Sequence, residues 1–122
     1  MILFLDDDSN RTKKFRSYFP AASTAATADE MISLLQSSEE FEAVFLDHDL
    51  GGEQYADSNN KNTGMEVVRW IETNQPIVEQ FVIHSCNYPA AQEMASRLRA
   101  LGYSKVFTTP FPSLNFGGLD AN

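Results

Sequence analysis

Apolar residues in this chain fall in short, nearly unbroken runs, separated by longer stretches with helical periodicity. Four runs read as strands: Ile2 to Leu5, Ala43 to Leu46, Phe81 to Ile83, and Val106 to Phe107 with its neighbours. A weaker run, "AASTAAT" over 21–27, lies between the first two. Strands that are apolar at successive positions are buried on both faces, as in a parallel sheet covered by helices.

The intervening stretches carry helix signals. In "SNRTKKFRSYF", Phe15, Tyr18 and Phe19 share a face and the basic residues point away. "TADEMISLL" opens with Thr27 and Glu30 at capping-box spacing and turns Met31, Leu34 and Leu35 inward. "TGMEVVRWIE" repeats the device with Thr63 and Glu66 and buries Val67, Val68 and Ile71. "YPAAQEMASRLRALG" has Pro89 in its first turn, a stripe of Ala91, Met94, Ala95, Leu98 and Leu101, and Gly102 as its stop. The predicted order is βαβαβαβαβ, a doubly wound α/β sheet forming one domain over 1–122.

Two segments stand outside this alternation. "GGEQYADSNNKNT", 51–63, is a long polar loop between the third strand and the third helix, and such loops are functional or disordered. "PFPSLNFGGLDAN", 110–122, shows no fifth amphipathic helix. One sheet face would then be covered by Phe111, Leu114, Phe116 and Leu119 folding back, or by a second copy in a homodimer.

Composition narrows the class. At 122 residues, 43% apolar and 21% charged, the chain reads as a soluble globular protein rather than a disordered one. No apolar run approaches the roughly 20 residues needed to cross a bilayer. "MILFLDDD" is not a signal peptide, and the single cysteine, Cys86, suits a reducing cytoplasm. A net charge of -8 argues against a footprint on duplex DNA but leaves room for a small phosphorylated ligand or one nucleic-acid end.

The candidate chemistry lies where such sheets bind ligands, beyond the carboxyl ends of the strands. Asp6, Asp7 and Asp8 follow the first strand, and Asp47 and Asp49 follow the third. If those strands are neighbours, Asp6, Asp7 and Asp47 meet. Crowded carboxylates repel unless a cation lies between them, and oxygen-only ligation suits Mg²⁺, Mn²⁺ or Ca²⁺. The plainer reading is that acids after strands cap helices, and Asp8 is read that way.

These segments resemble a known family. "ILFLDDDSNRTKKF", "AVFLDHDLGG", "VIHSCN" and "VFTTPFP" are similar, in order, to the four signature segments of response-regulator receiver domains. The resemblance implies a flavodoxin-like, CheY-like three-layer fold with a five-stranded parallel sheet of order 2-1-3-4-5, the final helix missing or replaced by a coil tail. It makes Asp6 and Asp7 the metal-binding pair, with Mg²⁺ as the expected ion. Asp47 becomes the phosphoacceptor, Ser85 the hydroxyl residue ending the fourth strand, and Gly64 the glycine opening the third helix. The backbone carbonyl of Asp49 would complete the metal shell.

Departures from that pattern bear on function. The Lys-Pro pair of receivers is replaced by Thr109-Pro110. Two histidines stand beside the acids, in "LDHDLGGE" and "IHSCNYPAAQEMA". Those segments resemble an atypical family, the cyclic-phosphate processing receiver domain, proposed to act as an enzyme in RNA-repair settings. On that resemblance His48 and His84 share water activation and leaving-group protonation. Asp49 orients one histidine or holds the attacking water, and Ser85 and Asn87 form a neutral phosphate cradle with the amides opening the fourth helix.

Side-chain alternation raises an objection. It turns His48 away from Asp47 and His84 away from Ser85, so the two imidazoles could pack together on the sheet side opposite the acids. Arg11 reads as a solvated helix residue within reach of a phosphate, Cys86 as a small core residue, and Tyr55 as an aromatic able to stack on a base. Two functions stay open. One is a metal-dependent phosphoesterase acting on a cyclic nucleotide or a 2′,3′-cyclic RNA end. The other is a receiver-like binding module, phosphorylated on Asp47 or not.

Overall fold

The computed structural model describes residues 1–110. The expectations for Phe111, Leu114, Phe116 and Leu119, for the missing final helix, and for pairing of two copies at that face lie outside the described residues. Among the described residues nine elements follow in order: β1 (Ile2–Leu5), α1 (Ser9–Tyr18), β2 (Ser23–Ala25), α2 (Ala28–Leu35), β3 (Glu40–Leu46), α3 (Gly64–Asn74), β4 (Ile77–Ile83), α4 (Tyr88–Ala100) and β5 (Val106–Thr108). All strand pairs are parallel and the sheet order is β2-β1-β3-β4-β5, the flavodoxin-like order.

Alternation along each strand divides the core in two. Leu3, Leu5, Val44, Leu46, Phe81 and Ile83 face α2, α3 and α4 in the larger cluster. Phe4, Ala43, Phe45 and Val82 face the other way, against Phe15 and Phe19 of α1. This burial on both faces is why the strands read as unbroken apolar runs.

Local signals explain the helix boundaries, with two corrections. Asp8 caps α1, accepting from the N–H groups of Asn10 and Arg11, and Thr27 with Glu30 closes a true capping box on α2. Thr63 does not repeat the device. Its hydroxyl donates to the carbonyl of Asn60 in the preceding loop, and Glu66 turns instead to Arg69 at 2.7 Å. Tyr18 is the second correction, half exposed at the end of α1 rather than packed with Phe15 and Phe19. Asn87 caps α4 and Gly102 ends it with a left-handed φ of 104°. No helix among the described residues is long and apolar enough to cross a membrane.

Candidate functional site

Sheet register builds the site. Leu5 pairs with Leu46, Leu46 with Ile83, and Ile83 with Thr108. The residues one step further therefore form a row across the carboxyl rim: Asp6, Asp47, His84 and Thr109. Backbone hydrogen bonds continue into it, from Asp47 N to Leu5 O (3.2 Å), His84 N to Leu46 O (2.9 Å) and Thr109 N to Ile83 O (2.9 Å). By alternation the row lies on the α1 side.

The order β1-β3 at the switch point brings Asp6, Asp7 and Asp47 together. Each offers a carboxylate oxygen, and these oxygens lie within 4.8 Å of one another. An all-oxygen, all-anionic donor set fits a hard divalent cation such as Mg²⁺. The Asp49 carboxylate is not in that group. Its Oδ1 faces His48 Nδ1 at 2.7 Å and accepts from Asn87 Nδ2 at 3.0 Å and Ala56 N at 3.1 Å, while Oδ2 accepts from Tyr55 N at 2.7 Å. Burial works to raise the Asp49 carboxyl, but these hydrogen bonds outweigh it and hold it below the usual range.

Burial, and then the neighbouring Asp6 carboxylate, push the Asp47 carboxyl up to about 8, against the opposing pull of the His48 N–H and Arg11. Arg11 departs from its reading as a solvated helix residue. Instead of being solvated, its guanidinium forks onto Asp6, with Nε to Oδ2 at 2.8 Å and Nη2 to Oδ1 at 2.9 Å. Nη2 also lies 3.8 Å from Asp47 Oδ2 and 4.0 Å from Asp7 Oδ1. The hydrogen bond to Asp6 raises the Arg11 pKa further, so it is always charged. The clue was present in the spacing, since Arg11 follows Asp7 and Asp8 by four and three residues across the start of a helix.

The histidines separate. His84 lies in the acidic row, its ring stacked on Phe4, Nδ1 3.7 Å from Asp6 Oδ2 and Nε2 3.1 Å from the carbonyl of Leu5. A carbonyl only accepts, so Nε2 carries the proton and Nδ1 of the neutral ring is an acceptor. Burial lowers the His84 pKa to about 4, only partly offset by Asp6, so the ring is neutral at pH 7. His48 faces the α3–α4 side, fully buried, with Nδ1 on Asp49 and Nε2 2.9 Å from Ser58 Oγ. The two imidazoles do not face each other. Register places His84, not His48, beside Asp47.

A cavity of about 540 Å³ opens over this row, with Asp7, Arg11, Asp47, His84, Ser85 and Cys86 in its wall. Cys86 is exposed there, which corrects its reading as core: it lies past the end of β4, where strand alternation stops. Ser85 Oγ accepts from Asn87 N at 3.0 Å, and the Asn87 side chain is committed to Asp49 and to capping α4. Loop 51–63 closes one side. It is tied down by Gly52 N on Asp7 Oδ2 (2.7 Å), by Ser58 on His48, and by Arg69 Nη1 on the Ser58 carbonyl (2.8 Å). Tyr55, in this loop, is exposed at the cavity wall with φ at 52°.

Gly64 is required by this packing. A Cβ there would lie 2.0 Å from the carbonyl oxygen of Asp47, so only glycine lets α3 approach the end of β3. Thr109 takes the row position next to His84 and brings no charge to it.

Residues 1–100 match the family model of the cyclic-phosphate processing receiver domain. No curated protein and no solved structure matches the chain. The matched span runs from β1 to the end of α4 and includes Asp6, Asp7, Asp47 and Asp49, both histidines and the loop between them; the chain belongs to the cyclic-phosphate processing receiver domain family.

Proposed function

We propose that the chain is a divalent-metal-dependent phosphoesterase that opens a small cyclic phosphate, either a cyclic nucleotide or a 2′,3′-cyclic RNA end of the kind met in RNA repair. The observation that carries this reading is the row Asp6, Asp47, His84 at the rim of one cavity. It sets a neutral imidazole acceptor beside three mutually close carboxylates. A Mg²⁺ or Mn²⁺ ion held by Asp6, Asp7 and Asp47 would supply relief of charge on the phosphoryl oxygens.

The other roles follow from position. His84 Nδ1 accepts a hydrogen bond from the attacking water and orients it; at a pKa of about 4 it does not keep the proton, which passes to the leaving ring oxygen as that oxygen's bond to phosphorus breaks. The Ser85 hydroxyl offers a neutral donor to the phosphate, whereas the amides of Asn87, Ala90 and Ala91 at the start of α4 are already given to Ser85 and Asn87. His48 is buried away from the cavity, so it positions Asp49 and, through Ser58, the loop that walls the site. The acidic surroundings and a net charge of -8 favour one small anion neutralised by a metal over a duplex.

The test is incubation with Mg²⁺ or Mn²⁺ and a panel of 2′,3′- and 3′,5′-cyclic nucleotides, read by phosphorus NMR. Ring-opened product is expected, with His84→Ala and Asp47→Asn slowed about 100-fold or more. No product from any cyclic phosphate, together with acetyl phosphate labelling that Asp47→Asn abolishes, would replace this reading by the phosphoacceptor module.

A further inference from the structure

Both oxygens of Asp6 are already in use. Oδ1 accepts from Arg11 Nη2 and from the N–H of Asp8, each at 2.9 Å, and Oδ2 accepts from Arg11 Nε at 2.8 Å. A carboxylate oxygen has two lone pairs, so Oδ1 is saturated and Oδ2 has one direction left, beside a guanidinium. The same guanidinium lies within 4.0 Å of the Asp7 and Asp47 carboxylates. It therefore occupies the electrostatic place of the ion that these acids fit. Two cations at one buried carboxylate repel, and one must give way.

We propose that Arg11 is a displaceable counter-ion. It holds the three acids together when no divalent ion is bound, releases Asp6 when one is, and turns its fork to the phosphoryl oxygens of the ligand. This inference rests on the reading of Asp6, Asp7 and Asp47 as a divalent-cation site. The second half follows from access and from charge. Arg11 springs from the first turn of α1, its side chain is 40% exposed, and it is the one Lys or Arg in the cavity wall among the described residues. Thr109 brings no charge to the row, so an anionic ligand finds its protein cation in Arg11. A planar fork matches two phosphoryl oxygens as it matches Asp6.

Calorimetry on the full chain, first with Mn²⁺ or Mg²⁺ alone and then with inorganic phosphate on the metal-saturated protein, tests it. Arg11→Ala is expected to bind the metal about tenfold more tightly and phosphate about tenfold more weakly, the scale of a charge-assisted hydrogen bond lost or gained. Arg11→Lys, which keeps the charge without the fork, is expected between wild type and Ala on both counts. In the wild type, the nitrogen-15 NMR signal of Arg11 Nε–H should move when Mg²⁺ is added, a readout that needs no variant. An unmoved Nε–H signal in protein that binds Mg²⁺, or an Arg11→Ala chain that binds phosphate as well as wild type, would overturn the proposal. Wild-type protein that takes up no ion would instead remove its premise, a separate failure.

Discussion

The imidazole of His84 lies flat on the ring of Phe4, with centroids 4.9 Å apart and planes 5° from parallel. Phe4 is itself stacked on Phe15 at 4.1 Å, so the histidine ends an aromatic column that runs from α1 through β1 to the acidic rim. The contact fixes the ring plane and the hydrogen bond to Leu5 fixes its tautomer. Together they aim one acceptor nitrogen at the acids.

That enclosure predicts a pH effect. The unfolded chain takes up a proton on His84 near pH 6.5, whereas the folded chain does so only near 4. Its contribution to stability is therefore complete above about 6.5 and is lost as pH falls towards 4. His84→Phe keeps a ring on Phe4 and removes the titration. Melting temperatures of that variant should fall less steeply than those of wild type between pH 6.5 and 4; identical slopes would mean that the ring titrates normally.

Asp47 works in the opposite sense. Its folded pKa, about 8, lies above the unfolded value near 4, so metal-free protein loses stability as pH rises between those limits. Asp47→Asn removes the charge, and without metal it should be more stable than wild type at pH 8 and lose that advantage towards pH 4. Ion uptake at pH 7 should also release a proton in wild type. Calorimetry in buffers of differing ionisation enthalpy would detect that release, and an enthalpy independent of buffer would rule it out.

Gly64 offers a structural test of the same rim. In Gly64→Ala the new methyl group meets the backbone of Asp47, which cannot rotate aside as a side chain would. A destabilisation of about 3 kcal/mol is expected in urea unfolding, at the upper end for an overpacked core position. A change below about 0.5 kcal/mol would show that α3 does not approach β3 so closely.

The Asp49 carboxylate should behave as a hub of the loop. Asp49→Ala leaves His48, Tyr55 and Ala56 without their shared acceptor, and each loss is on the order of 1 kcal/mol. Amide exchange of loop 51–63 should quicken strongly in this variant and only slightly in Ser58→Ala. Equal effects would place the anchor at Ser58 instead.

Much of this was legible in the residues. Doubly buried strands gave their apolar runs, Asp8 and Thr27 sit at the helix starts, and the acids lie past β1 and β3 as the switch-point rule requires. The histidines show where such reading stops. Alternation states which way His84 points relative to Ser85, but only the pairing of Leu46 with Ile83 states that His84 shares a row with Asp47. Arg11 was hidden for a related reason. Its partners Asp7 and Asp8 are visible as helix neighbours, whereas its strongest partner, Asp6, precedes the helix and is reached only because the chain turns sharply between them. Cys86 lies beyond the strand end, where no period governs burial.

The most direct measurement is calorimetric titration of wild type and Asp47→Asn with Mg²⁺ or Mn²⁺ at pH 8, where Asp47 ionises readily. One ion per chain in wild type, and none or a far weaker one in Asp47→Asn, is the predicted result. Binding that ignores the loss of Asp47, or no binding at all, would contradict a divalent ion shared by Asp6, Asp7 and Asp47.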